Sequence, residues 1–181
     1  MKGLFLTTAF FFLIGAAACG NAFSQSRQRI YTVRSTVVTV KPKKDKSRKN
    51  FDDGERQVYA LINAERRKKR LENLSWDNNL AKVARDYSKK MARGNFFSHY
   101  DREGASVASR IKSSNITGWR KVGENLFYCE GIDDFDSFAV KGWMKSSGHR
   151  ENILDKSWTT TGIGIAESGG RIYVTQVFIQ R

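Results

Sequence analysis

Two cysteines, two histidines and a single proline are all that the 181 residues contain of those three types. So few cysteines exclude a disulfide-dense scaffold, and no CxxC pair is present to suggest a zinc ribbon or a redox motif. There is no glycine-rich phosphate loop, no HExxH and no GxSxG elbow, so the common signatures of nucleotide, zincin and serine-hydrolase chemistry are missing. The longest apolar and small-residue run, Leu4 to Ala18, covers fifteen residues. A membrane-spanning helix needs about 20.

What is present in excess is positive charge, and its placement matters more than its total. Of the formal +14, residues 1–24 carry +1 and residues 25–50 carry +8, which leaves +5 for residues 51–181. The N-terminus has one lysine, the apolar run, then small residues around Ala22 to Ser24, the layout of a secretory signal peptide. Cleavage after Ser24 is expected, with a product exported to the periplasm or the extracellular space. The alternative reads Ala16–Cys19 as a degenerate lipoprotein box, with Cys19 acylated and the protein anchored. Removal of the leader leaves Cys129 alone, and one thiol cannot form an internal bridge. The folded part must therefore rest on its core.

Residues 25–50 read as a basic linker or arm. Their IYTVRSTVVTV stretch alternates partly, yet nothing adjacent in sequence offers it a strand partner. A solvated tether is the expectation, with an affinity for anionic envelope polymers or a membrane surface. On that reading, deletion of residues 25–50 leaves thermal stability nearly unchanged and weakens salt-sensitive binding to anionic surfaces. From Phe51 to the C-terminus the pattern becomes that of a single domain. Val58, Leu61 and Ile62 recur at helical spacing, after acids and before a basic run. Leu80, Val83, Ala84, Tyr87 and Met91 mark a second helix, capped by Ser75 or Asp77 and stopped at Gly94. ASVASRIKSS and DDFDSFAVKGWMKS predict two more, and RENIL a short one. Two β-rich runs flank Gly169-Gly170 as a hairpin. Helices first and strands last indicate an α+β fold, with helices packed on a small antiparallel sheet.

The candidate chemistry gathers at His99, at Glu124 within Gly123-Glu124-Asn125, and at His149. Each has a structural explanation: His99 can cap a helix, Glu124 can pair with Arg120 or Lys121, and His149 can orient a turn. All three lie at the ends of predicted elements, where rigid scaffolds carry sites. Ser146 and Ser147 neighbour His149 in sequence, which is not attack geometry, and no catalytic nucleophile is assigned. The basic arm lacks interleaved aromatics, so nucleic acid is not expected as a partner.

Residues 55–179 resemble the CAP superfamily, or SCP domain, of cysteine-rich secretory proteins, antigen 5 and plant pathogenesis-related proteins. The motifs that carry the likeness are LINAERRKKRLENLSWDNNLAKVARDYSKKM, FFSHYDREG, GENL, WMKSSGHRENIL, GIGIAES and YVTQVF, in that order. The likeness is to the short bacterial branch without disulfides. It implies a three-layer α-β-α sandwich with a central cleft, in which His99 and His149 match the family's cleft histidines and Glu124 one of its glutamates. Many eukaryotic members carry a second cleft glutamate shortly after the tryptophan that Trp143 matches. Here Met144, Lys145, Ser146 and Ser147 follow instead.

Two imidazoles and a carboxylate suit a divalent cation such as zinc, with a fourth position left for water. The resulting expectation is an exported, monomeric binding module whose cleft takes a metal, a lipid or sterol, or a peptide-like ligand. The second reading is a metal-assisted hydrolase of peptidase type, with Glu124 as base.

Overall fold

The computed structural model describes residues 29–31, 36–39 and 51–181. The leader assigned to residues 1–24 lies outside them. Helix α1 spans Phe51–Lys68, with Asp52 and Asp53 in its first turn and Arg66, Arg67 and Lys68 in its last, charges that complement the helix dipole. Helix α2 is Asn78–Gly94. Asp77 caps it by accepting from the backbone N–H of Asn79 and Leu80, and Asn95 closes it in a left-handed conformation. Helices α3 (Val107–Ser113), α4 (Phe135–Lys145) and α5 (Ser147–Leu154) follow.

The sheet is built on β4 (Lys121–Glu130), β5 (Thr160–Ser168) and β6 (Arg171–Gln180), paired antiparallel in the order β4-β6-β5. Gly169 and Gly170 both take positive φ at the β5–β6 turn, which suits the twist of a two-residue hairpin. The two-residue β3 (Ser75–Trp76) adds in parallel to β5.

Two more strands come from the stretch read as a tether. Backbone segments β1 (Arg29–Tyr31) and β2 (Thr36–Thr39) both pair in parallel with β4, at Lys121–Gly123 and at Phe127–Glu130. The partner missing from the neighbouring sequence is a strand about ninety residues away. Here the structure departs from the solvated-tether reading: these seven residues belong to the sheet.

Alternation along the strands divides the core into two layers. Phe127 and Cys129 of β4, Ile163 and Ile165 of β5, and Val174 and Phe178 of β6 pack with Val58, Ile62, Ala139, Trp143 and Ile153 of α1, α4 and α5. Val122 of β4 and Val177 and Ile179 of β6 face Leu80 and Ala84 of α2 and Val107 and Ile111 of α3. The α-β-α sandwich expected from the family resemblance is the one observed. Helix α2 approaches β5 closely because glycine stands at 162 and 164. A Cβ at Gly164 would lie 1.9 Å from the backbone nitrogen of Arg85.

Candidate functional site

Glu124 projects from β4 toward the α2–α3 layer and is fully buried. Its Oε1 lies 2.8 Å from Nδ1 of His99, in the α2–α3 connection, and its Oε2 accepts from Nη2 of Arg110 on α3. An ionised carboxylate can only accept, so Nδ1 of His99 carries the proton in this contact. Arg110 is held from several sides. Its Nη1 donates to the carbonyls of Ala105 (3.0 Å) and His99 (3.3 Å), and its guanidinium carbon sits 3.3 Å from the ring centroid of Tyr87. Tyr87 in turn donates to the Ser98 carbonyl, and burial pushes its phenol pKa up. Residues 98 and 99 are thus held by α2 and α3 together. Behind Arg110, between these helices, lies a cavity of about 280 Å³ lined by Val83, Tyr87, Lys90, Asp101 and Ser109.

The neighbouring residue, Asn125, points to the other side of β4 and meets α5. It donates to the His149 carbonyl at 3.2 Å and accepts from Asn152 Nδ2 at 3.0 Å. Asn152 also donates to the Glu124 carbonyl, and Trp143 Nε1 donates to the Leu126 carbonyl. Among the described residues no strand pairs with Glu124–Leu126 on this edge, between β1 and β2. Side chains of α4 and α5 satisfy it instead.

The His149 ring is fully buried, and neither nitrogen has a hydrogen-bond partner among the described residues. Its pKa falls to about 4, first because burial disfavours the charged ring and second because positive charge on His99 repels it. At neutral pH the ring is therefore uncharged, presenting one N–H and one lone pair. No serine hydroxyl among the described residues reaches it, so Ser146 and Ser147 form no nucleophile–base pair with this ring.

The structure brings His99 and Glu124 into direct contact and sets His149 within electrostatic reach of His99. As they stand, the three are not a cation-ligand set. Among the described residues no group of three His, Cys, Asp or Glu side chains is placed to hold a metal ion. Both oxygens of Glu124 are engaged, one by a permanently charged guanidinium. The zinc expectation for His99, Glu124 and His149 does not fit this arrangement. Glu124 pairs with neither Arg120 nor Lys121, the two partners suggested by adjacency. The sequence reading missed Arg110 and Asn152 and gave Asn125, within the Gly123-Glu124-Asn125 tripeptide, no role of its own. Arg110 carried a signal: it follows Val107 by three residues and precedes Ile111, which places a cation on the apolar face of a short helix.

A sheet covered on both faces by helices is the architecture that the CAP resemblance implies. Residues 59–178 match the Cysteine-rich secretory protein family, and the chain belongs to it. It is 34% identical over 158 residues to the uncharacterized membrane protein YlbC of Bacillus subtilis (strain 168), covering 86% of this chain and 43% of that one. A second relative from the same organism, YkwD, is 38% identical over 125 residues, 69% of this chain and 46% of that one. The chain thus spans less than half the length of these curated relatives. Among solved structures, an extracellular protein containing a SCP domain from Bacillus anthracis str. Ames superposes with a TM-score of 0.64 at 30% identity, over 72% of this chain and 41% of that one. An outer surface protein of Borrelia burgdorferi shares the fold, with a TM-score of 0.66 at 22% identity, over 73% of this chain and 96% of that one. Among the described residues no helix is long and apolar enough to cross a membrane.

Proposed function

We propose that this chain works outside the cytoplasm as a binding module. Its cleft takes an uncharged ligand bearing a hydroxyl or amide group, of the lipid or peptide-like class, through His149. The observation that carries the reading is the His149 ring, buried and neutral with both nitrogens unpartnered. A buried polar group left unsatisfied costs about 1–3 kcal/mol. A ligand offering one donor and one acceptor recovers that cost. Tyr100, 52% exposed and next to His99 in sequence, supplies an apolar lip of the kind such ligands use. The export-type leader and the extracellular and outer-surface descriptions of the structural relatives support the location.

The hydrolase reading is weaker, because a general base needs an oxygen free to take a proton. Both Glu124 oxygens already serve His99 and Arg110. The test is ring-nitrogen NMR of His149 during titration with a sterol, a lysophospholipid and a tetrapeptide library. One of these classes shifts the His149 signals and raises the melting temperature of wild type, but not of His149→Phe. Silence of His149 toward all three sinks the reading.

A further inference from the structure

We propose that Arg110 is the resident cation of this cleft and the residue that keeps divalent metals out of it. The inference goes beyond the ligand proposed for His149 and does not depend on it. Glu124 is fully buried, and a buried carboxylate is stable only with a counter-charge and hydrogen bonds. In this chain the counter-charge is a guanidinium, which stays protonated at every relevant pH and offers donors in a rigid fork. The fork is directed by its bonds: Nη1 donates to two carbonyls, of Ala105 and His99, and Nη2 to Glu124 Oε2. The planar face covers Tyr87, which adds cation–π attraction.

The charge on this guanidinium therefore stands where a divalent ion bound to Glu124 would place its own. An incoming ion would have to displace Arg110 from Oε2. That would leave the guanidinium, whose side chain is only 11% exposed, without its carboxylate and beside a second cation. The tether to the His99 carbonyl makes the displacement harder, because moving Arg110 also loosens the segment that carries the first imidazole. Selectivity is thus set by a residue outside the His–Glu–His trio, on a different element.

The experiment is zinc titration of the full chain by calorimetry, with His99 and His149 ring signals followed by NMR, for wild type, Arg110→Lys, Arg110→Gln and Arg110→Met. The wild type and the charge-retaining lysine variant take no zinc at His99 or His149. The two neutral variants gain a 1:1 site at least about tenfold tighter than any wild-type binding, and His99→Ala introduced into Arg110→Met removes it. Zinc that shifts both rings in the wild type overturns the proposal. So does failure of well-folded Arg110→Gln and Arg110→Met to gain a site. If both neutral variants unfold, wild type decides: ring signals unmoved by millimolar zinc uphold the exclusion, and shifted ones end it.

Discussion

Glu124 and Asn125 are consecutive residues of β4 whose side chains serve opposite layers of the sandwich. Glu124 binds His99 and Arg110 on the α2–α3 side, and Asn125 holds the backbone of His149 on α5. Strand alternation thus makes one dipeptide the link between the two helical layers. A change at either position disturbs one layer directly and the other through the strand.

The Glu124–Arg110 pair gives the sharpest stability forecast. Removing one member leaves the other buried and uncompensated, so Glu124→Leu costs about 3–5 kcal/mol. Joining Glu124→Leu to Arg110→Met costs clearly less than the two single changes summed, because the second change removes the orphan left by the first. Urea unfolding of the four proteins in this cycle measures the coupling. Strict additivity would show that the pair contributes nothing jointly.

His149 predicts a pH dependence. Its folded pKa of about 4 lies below the ordinary imidazole value of 6.5. Between these values the unfolded chain binds the proton and the folded one does not, so stability falls as pH falls. The contribution is full above about pH 6.5 and gone near pH 4, amounting to about 3 kcal/mol over the window. In His149→Phe the slope between pH 6.5 and 4 flattens, while stability at pH 7 holds or rises because an unsatisfied ring has been removed. Thermal melts across that range check both halves, and an unchanged slope in the variant would assign the acid sensitivity elsewhere.

How much of this was legible follows from where the signals lie. Helices α1 to α4 show in the sequence because each buries one stripe and exposes the rest, and Asp77 and the Gly169-Gly170 turn carry their own local chemistry. Strand β4 is hidden. In KVGENLFYCE both faces are covered by helices, so the period-2 contrast of a half-exposed strand is lost. Strands β1 and β2 alternate weakly and their partner is distant, so only tertiary pairing reveals them. His99, Glu124 and His149 stand out in the sequence by residue type and by their places at element ends, and the family motifs join them in one cleft. Their true bonding does not show there, because it depends on a cation from α3 that no motif contains.

Glycine 164 and glycine 142 make a contrasting pair. A Cβ at 164 would collide with the backbone of α2, which cannot rotate away, whereas one at 142 meets the Phe127 ring at an ordinary 3.4 Å. Gly164→Ala therefore costs about 3 kcal/mol or more through overpacking and a displaced helix. Gly142→Ala, inside α4, is neutral or stabilises by up to about 1 kcal/mol through helix propensity. Denaturation midpoints of the two variants settle it, and a benign Gly164→Ala would show that α2 floats above β5.

The N-terminal strands carry the last forecast. A tether predicts almost no effect on stability of deleting residues 25–50. Pairing of Arg29–Tyr31 and Thr36–Thr39 with β4 predicts a fall in melting temperature of about 5 °C or more, since several ladder hydrogen bonds worth about 0.5–1.5 kcal/mol each are lost. The deletion also bares the β4 edge, so the shortened protein self-associates more readily. A finer probe separates pairing from a general loss of chain. In a parallel ladder alternate residues aim their N–H at the neighbouring strand, so of Val37 and Val38 one donates to β4 and the other points away. Val37→Pro and Val38→Pro must then differ, one destabilising by more than about 1 kcal/mol and the other far less. Equal, negligible effects would return this segment to solvent and leave β4 as the true edge of the sheet.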